Sequence, residues 1–114
     1  MKKPDSLQGT LDLLVLKILS RRPRTHGYGI MAAVKDCSDD LLRVEEGSLY
    51  PALQRMLRAK LLTAKWTMSP TNRRVRTYQI TTAGLRHLEQ QISSFERMFE
   101  GIALVLNSGE SPAT

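Results

Sequence analysis

The hydrophobic positions of this chain change period several times, and each change marks an element. Leu7, Leu11, Leu14, Val15, Ile18 and Leu19 recur at helical spacing, with Leu13 and Leu16 widening the stripe. They predict a mostly buried first helix that opens near Gly9-Thr10, capped by Thr10 or an earlier residue, and stops at Arg21-Arg22-Pro23-Arg24. A second helix is predicted from His26 or Gly27 to Asp36, with Tyr28, Ile30, Met31 and Val34 as its core. Gly27 and Gly29 at its start suggest close packing or a tight entry. Leu41 to Val44 reads as an extended connector. In a third helix, running to about Lys60, Leu49, Leu53, Met56 and Leu57 define the buried face. Ser48 is placed as its cap and Pro51 within its first turn, where a missing N–H matters least.

The period then switches to two. Leu62, Ala64, Trp66 and Met68 alternate with Thr63, Lys65 and Thr67, which predicts a strand with one buried face. Ser69-Pro70-Thr71-Asn72 is a turn cluster, and Arg73 to Ile80 is a second strand, so the two form a hairpin. Thr81 or Thr82 caps a final helix. There Leu85, Leu88, Ile92, Phe95, Phe99, Ile102 and Leu106 follow alternating spacings of three and four, an a/d seam. One chain has little surface left to cover such a seam. The first turns are expected on the first helix and the remainder on a second copy of the chain, with Leu88, Ile92, Phe95, Phe99, Ile102 and Leu106 as dimerisation residues. The tail 107–114 reads as disordered.

The order helix, helix, helix, strand, basic turn, strand, long helix gives a mainly α (α+β) fold: a winged helix-turn-helix over 1–80 with a dimerisation helix over 81–106. Composition narrows what such a fold does. At 114 residues and 41% hydrophobic, the chain suits one compact domain. A single cysteine, Cys37, excludes an internal disulfide framework and reads as a small apolar filler at a helix end, in a reducing cytoplasm. No apolar run approaches the roughly 20 residues that span a bilayer, and the N-terminus lacks a signal-peptide cleavage pattern. His26 and His87 have no ligand-spaced partners, the adjacent acids Asp39-Asp40 and Glu45-Glu46 cannot converge on a metal, and no Gly-rich phosphate loop occurs. Neither an enzyme nor a cofactor or metal site is expected.

The net charge of +6 matters through its placement. Between Glu46 and Glu89 the chain carries Arg55, Arg58, Lys60, Lys65, Arg73, Arg74, Arg76 and Arg86 and no acid. A positive region of this kind is the electrostatic mark of a polyanion site. An anionic membrane would need an exposed apolar face, whereas here the apolar faces are committed to packing. Double-stranded DNA is the partner expected. The third helix, about 48–60, would enter the major groove, and the wing, about 69–76, would reach the minor groove or the backbone. Ser48 and free N–H groups at the helix start suit a phosphate. Tyr50 offers its phenol to a phosphate oxygen, or is a half-buried aromatic. Gln54 can pair with adenine and Arg55 or Arg58 with guanine, or the arginines contact phosphates alone. Pro51, Asn72, Arg73, Arg74 and Arg76 complete the candidate set, with Lys2, Lys3 and Lys35 as further phosphate contacts. About three to five phosphates per subunit would be neutralised.

Four segments carry a resemblance. Gly9-Thr10-Leu11-Asp12-Leu13-Leu14, His26-Gly27-Tyr28-Gly29-Ile30, Glu45-Glu46-Gly47-Ser48-Leu49-Tyr50-Pro51-Ala52-Leu53 and Tyr78-Gln79-Ile80-Thr81-Thr82-Ala83-Gly84 resemble the PadR family of bacterial transcriptional regulators. The Asn72-Arg73-Arg74 wing is similar to that of the compact PadR-like group common in Acidobacteria. The resemblance implies a homodimer that binds a roughly palindromic operator and represses transcription. The chain departs from the family pattern at Thr77-Tyr78, where a Tyr-Tyr pair is common, and at Lys60-Leu61, where a Gly-aromatic pair often stands. Its final helix also lacks the tryptophan that lines a drug-binding pore in some relatives, with Phe95 and Phe99 the nearest aromatics. Two alternatives stand beside the repressor. One is a winged-helix protein-interaction module, and the other a repressor released by a small molecule bound between the final helices.

Overall fold

The described residues build four helices and a three-stranded antiparallel sheet, in the order α1 (Ser6–Arg21), β1 (Thr25–His26), α2 (Gly27–Cys37), α3 (Glu46–Arg58), β2 (Leu62–Met68), β3 (Arg74–Ile80) and α4 (Thr82–Leu106). This is a computed structural model, and it describes residues 6 to 109, with side chains from residue 9 onward. Lys2, Lys3 and the tail beyond 109 lie outside the described residues.

The core forms where the apolar stripes of α1, α2 and α3 meet the base of the sheet. Val15, Leu16 and Leu19 from α1, Ile30 from α2, and Leu49, Ala52, Leu53 and Met56 from α3 are all buried. Leu62 and Tyr78 close it from the hairpin. Each large apolar side chain moved from water into this cluster contributes about 1.5–3 kcal/mol. A smaller cluster, Ile18 with Ala33 and Val34, seals α1 against α2.

Several expected boundaries shift for identifiable reasons. Gly9 and Thr10 sit inside α1, one turn past its start, so neither begins the helix. Tyr28, expected in the core, is 70% exposed; Ala33 takes the inward position instead. Cys37 is exposed at the last position of α2 and fills nothing. The two-residue strand β1 was hidden in the predicted start of the second helix. Its partner is β3, with Thr25 opposite Tyr78 and His26 opposite Thr77, which places β3 at the centre of the sheet. His26 still caps α2, its Nδ1 accepting the Gly29 N–H at 2.9 Å.

The seam of α4 divides in two. Leu88 is only 4% exposed and Ile92 packs beside it on the core, because the first turns of α4 lie against α1. Both were expected in a dimer contact, but the subunit's own core covers them. Further along, Phe99 is 62% exposed, and Ile102, Val105 and Leu106 are exposed with it. Phe95 and Phe99 touch, with ring centroids 5.3 Å apart. The helix thus extends past the domain, and the subunit with it measures 66 Å along its longest axis and 23 Å along its shortest.

Candidate nucleic-acid interface

The backbone of α3 decides which side chains it presents. Its N-cap is Glu45, whose carbonyl accepts the N–H groups of both Ser48 and Leu49. Ser48 is therefore inside the helix, its backbone N–H already used, and is not the cap. Glu45 and Glu46 at this end put carboxylates where the helix dipole favours negative charge. A phosphate on the helix axis would meet those two acids, so the hydroxyl of Ser48, on the flank, is the better donor. Pro51 is also further in than expected, at the sixth residue of the helix. Its ring supplies no N–H to the Gly47 carbonyl one turn earlier. Both residues are exposed.

With Leu49, Ala52, Leu53 and Met56 turned inward, helical spacing puts Gly47, Pro51, Gln54 and Arg58 on one outward ridge, and all four are exposed. Ser48 and Arg55 flank the ridge on one side and Tyr50 on the other. Tyr50 is 40% exposed and leans across to α2, where its hydroxyl lies over Gly27. Any side chain at residue 27 would collide with that ring, which explains the glycine in physical terms.

Arg55 is otherwise engaged. Its Nη1 and Nη2 donate to Asp12 Oδ2 and Oδ1 at 3.0 and 3.2 Å, a bidentate pair in a half-buried setting. Both terminal nitrogens of the fork are directed at α1, so this candidate base reader is a tie between helices. Gln54 and Arg58 carry the polar edge of α3.

The hairpin forms the second part of the site. Cross-strand partners share a face, so Ala64 with Tyr78, Trp66 with Arg76, and Met68 with Arg74 line one side of the ribbon from base to tip. At the base this face is core. Beyond Tyr78 it leaves the helices behind, which is why Trp66 is 56% exposed and Met68 exposed as well, although their alternation predicted burial. The Arg74 guanidinium carbon lies 4.7 Å from the centre of the Trp66 ring and that of Arg76 5.8 Å from it. Arg76 also lies 6.0 Å from the Tyr78 ring. Burial pushes the Tyr78 phenol above its ordinary 10.0, the Arg76 charge pulls it back, and Tyr50 adds to the rise. Tyr78 thereby joins the flank of α3 to the arginine face of the wing.

At the tip, the Asn72 N–H donates to the Ser69 carbonyl and the Ser69 N–H to the Arg73 carbonyl. Asn72 has φ of 66°, a left-handed turn position that asparagine tolerates. Arg73 is exposed beside it. Lys35 is exposed on α2, well outside the hairpin. Among the described residues the ion pairs are Arg55–Asp12 and Arg43–Asp40, and neither involves a wing arginine. No group of three or more potential metal ligands occurs among them.

Sequence reasoning missed two parts of this site, Asp12 and Trp66, while the close packing expected at Gly27 is met by the Tyr50 ring. The Trp66–Arg76 pairing was accessible in principle, since fixing the hairpin register puts them opposite one another. The Asp12–Arg55 pair spans 43 residues and leaves no local trace.

An exposed polar ridge on the third helix, a cationic hairpin beside it and a helical extension define a winged helix-turn-helix of the kind that regulates transcription. The chain belongs to the transcriptional regulator PadR-like family, whose model matches residues 15–90. A PadR-like transcriptional regulator from Bacillus cereus is 30% identical, with a TM-score of 0.74 over 91% of this chain and 97% of that one. A transcriptional regulator from Clostridium thermocellum is 23% identical with a TM-score of 0.77, over 90% of this chain and 96% of its own. An uncharacterized protein from Lysinibacillus sphaericus is 23% identical across 96% of this chain and its own whole length. The protein is a DNA-binding transcriptional regulator and not an enzyme. None of the described helices is long and apolar enough to cross a membrane.

Proposed function

We propose that this regulator is a homodimeric repressor, acting in the cytoplasm on a pseudo-palindromic operator. One observation carries the reading. The Gly47–Pro51–Gln54–Arg58 ridge stands free beside a wing whose arginines have no carboxylate partner among the described residues. Ser48 and Tyr50 seat α3 on phosphates, Gln54 and Arg58 read base edges in the major groove, and Arg73, Arg74 and Arg76 contact the flanking minor groove or backbone. Phe99, Ile102 and Leu106 pair with a second copy and place two such ridges about 34 Å apart, one turn of DNA. Binding-site selection with the purified protein, followed by fluorescence anisotropy, tests this. The expected result is a two-fold symmetric motif bound far more tightly than random duplex. Equal affinity for random DNA at moderate salt overturns the specificity.

A second reading follows from the Phe95–Phe99 contact: an aromatic small molecule lodged between paired α4 helices could release the operator. A thermal-shift screen in which no planar aromatic compound stabilises the protein counts against it. The protein-interaction alternative predicts that an Arg58, Arg73 and Arg74 triple substitution loses an acidic protein partner while no duplex is ever bound.

A further inference from the structure

Arginines at a binding surface are commonly held in place by carboxylates, but a carboxylate does so by accepting the very N–H groups that would meet a ligand. Arg55 illustrates this, with both terminal nitrogens donating to Asp12. Arg74 and Arg76 are held differently. Both guanidinium carbons lie within cation–π range of one indole, at 4.7 and 5.8 Å. A ring attracts the flat face of a guanidinium and leaves its donor edge unoccupied. Trp66 is also 56% exposed, so core packing does not account for a tryptophan here. Its position opposite Arg76, two residues past Ala64 on the same face, is where the hairpin leaves the core.

We propose that Trp66 is a positioning residue for DNA binding: its exposed indole holds Arg74 and Arg76 by their faces and keeps their donor edges aimed at the phosphates or groove edge of a duplex. The proposal rests on the DNA-binding reading above. Two mutually repelling cations share one ring, and among the described residues no acid pairs with either to cancel its charge. The stacked pair loses less side-chain freedom on binding than two free arginines would, and this difference appears as affinity. The exposed ring is itself within reach of whatever the arginines touch.

The test uses the full chain and the duplex that the wild-type protein recovers by selection. Trp66→Ala should weaken binding roughly 5- to 30-fold, the fold-change expected when two arginine side chains must be ordered on binding instead of beforehand. It should also flatten the dependence of log K on log salt by about one to two per subunit, as expected for one or two lost phosphate contacts. Trp66→Phe should restore most of both, whereas Trp66→Leu, which keeps apolar area without a π face, should behave like alanine. In the free protein, ring-current shifts of the Arg74 and Arg76 Nε–Hε signals should be present in wild type and Trp66→Phe and lost in Trp66→Leu. Because Trp66 is the sole tryptophan, its fluorescence should change as duplex is added. Wild-type affinity and salt slope in Trp66→Leu overturn the positioning role, even if Trp66→Ala disturbs the hairpin. A wild-type protein that selects no duplex overturns the DNA-binding reading and this proposal together, an outcome distinct from the first.

Discussion

Arg55 donates two hydrogen bonds to Asp12, joining α3 to α1 across 43 residues of sequence. Half-buried pairs of this kind contribute more than surface ones, about 1 kcal/mol. A double-mutant cycle with Asp12→Ala and Arg55→Ala, read by urea denaturation, should give a coupling near that value. Asp12→Asn should have a second effect, since it frees a cation on the flank of the DNA-facing helix. Affinity for random duplex should rise, and the salt slope should steepen by about 0.9. An unchanged slope would mean that Arg55 stays turned toward α1 without its acid.

Tyr78 sets an alkaline limit. Its phenol is raised above 10.0 mainly by burial, with Arg76 opposing. A raised acid holds its proton more tightly when folded than when unfolded. The stabilisation is therefore complete below 10.0 and is lost as pH rises through the higher folded value. Melting temperatures should fall above about pH 10 more steeply in wild type than in Tyr78→Phe. Parallel curves would show that burial of this hydroxyl has no energetic weight.

Two glycines of α4 should respond in opposite directions to alanine. A Cβ on Gly84 would run into the backbone carbonyl of Leu61, which cannot swing aside, so Gly84→Ala should cost about 2 kcal/mol or more by forcing α4 off the hairpin. Gly101 has open space around it, and Gly101→Ala should stabilise the subunit by up to about 1 kcal/mol through helix propensity. Thermal denaturation of both variants checks the pair. Loss of stability at Gly101 would indicate that a partner chain approaches the backbone there.

The two halves of the α4 seam should separate stability from assembly. Leu88→Ala removes a core side chain and should cost about 2–5 kcal/mol in denaturant unfolding. Phe99→Glu with Ile102→Glu touches only exposed positions. It should leave the helical content of the subunit unchanged while light scattering shows a monomer, against the dimer proposed for wild type. If the doubly substituted protein stays dimeric, the distal seam is not the contact.

The elements were legible because their periods were clean: the stripe of α1, the alternation of β2 and the spacing of α4 each announce themselves within a few residues. What covers a face was not legible. Trp66 and Met68 continue the alternation begun by Leu62 and Ala64, but burial ends where the helices end, a property of the assembled fold. Leu88 and Phe99 lie on the same seam, yet proximity to α1 makes one core and the other surface. β1 consists of two residues whose extended form is fixed by β3, far along the chain. Charge counting found the basic middle of the chain but not the one acid, Asp12, that reaches into it.

Thr81 has a consequence beyond capping. Its hydroxyl donates to the Lys60 carbonyl just past the end of α3, at 2.8 Å, and accepts the Gly84 N–H at the start of α4, at 3.0 Å. Its own N–H donates to the Leu61 carbonyl at 3.0 Å, the same oxygen that forbids a side chain at Gly84. The exit of one helix and the entry of the next are thereby tied through a single residue by three hydrogen bonds. In the proposed dimer, a tilt imposed on the far end of α4 would be carried through Thr81 to the C-terminal end of α3, so the angle at which a second copy seats would also set the angle at which the groove is met.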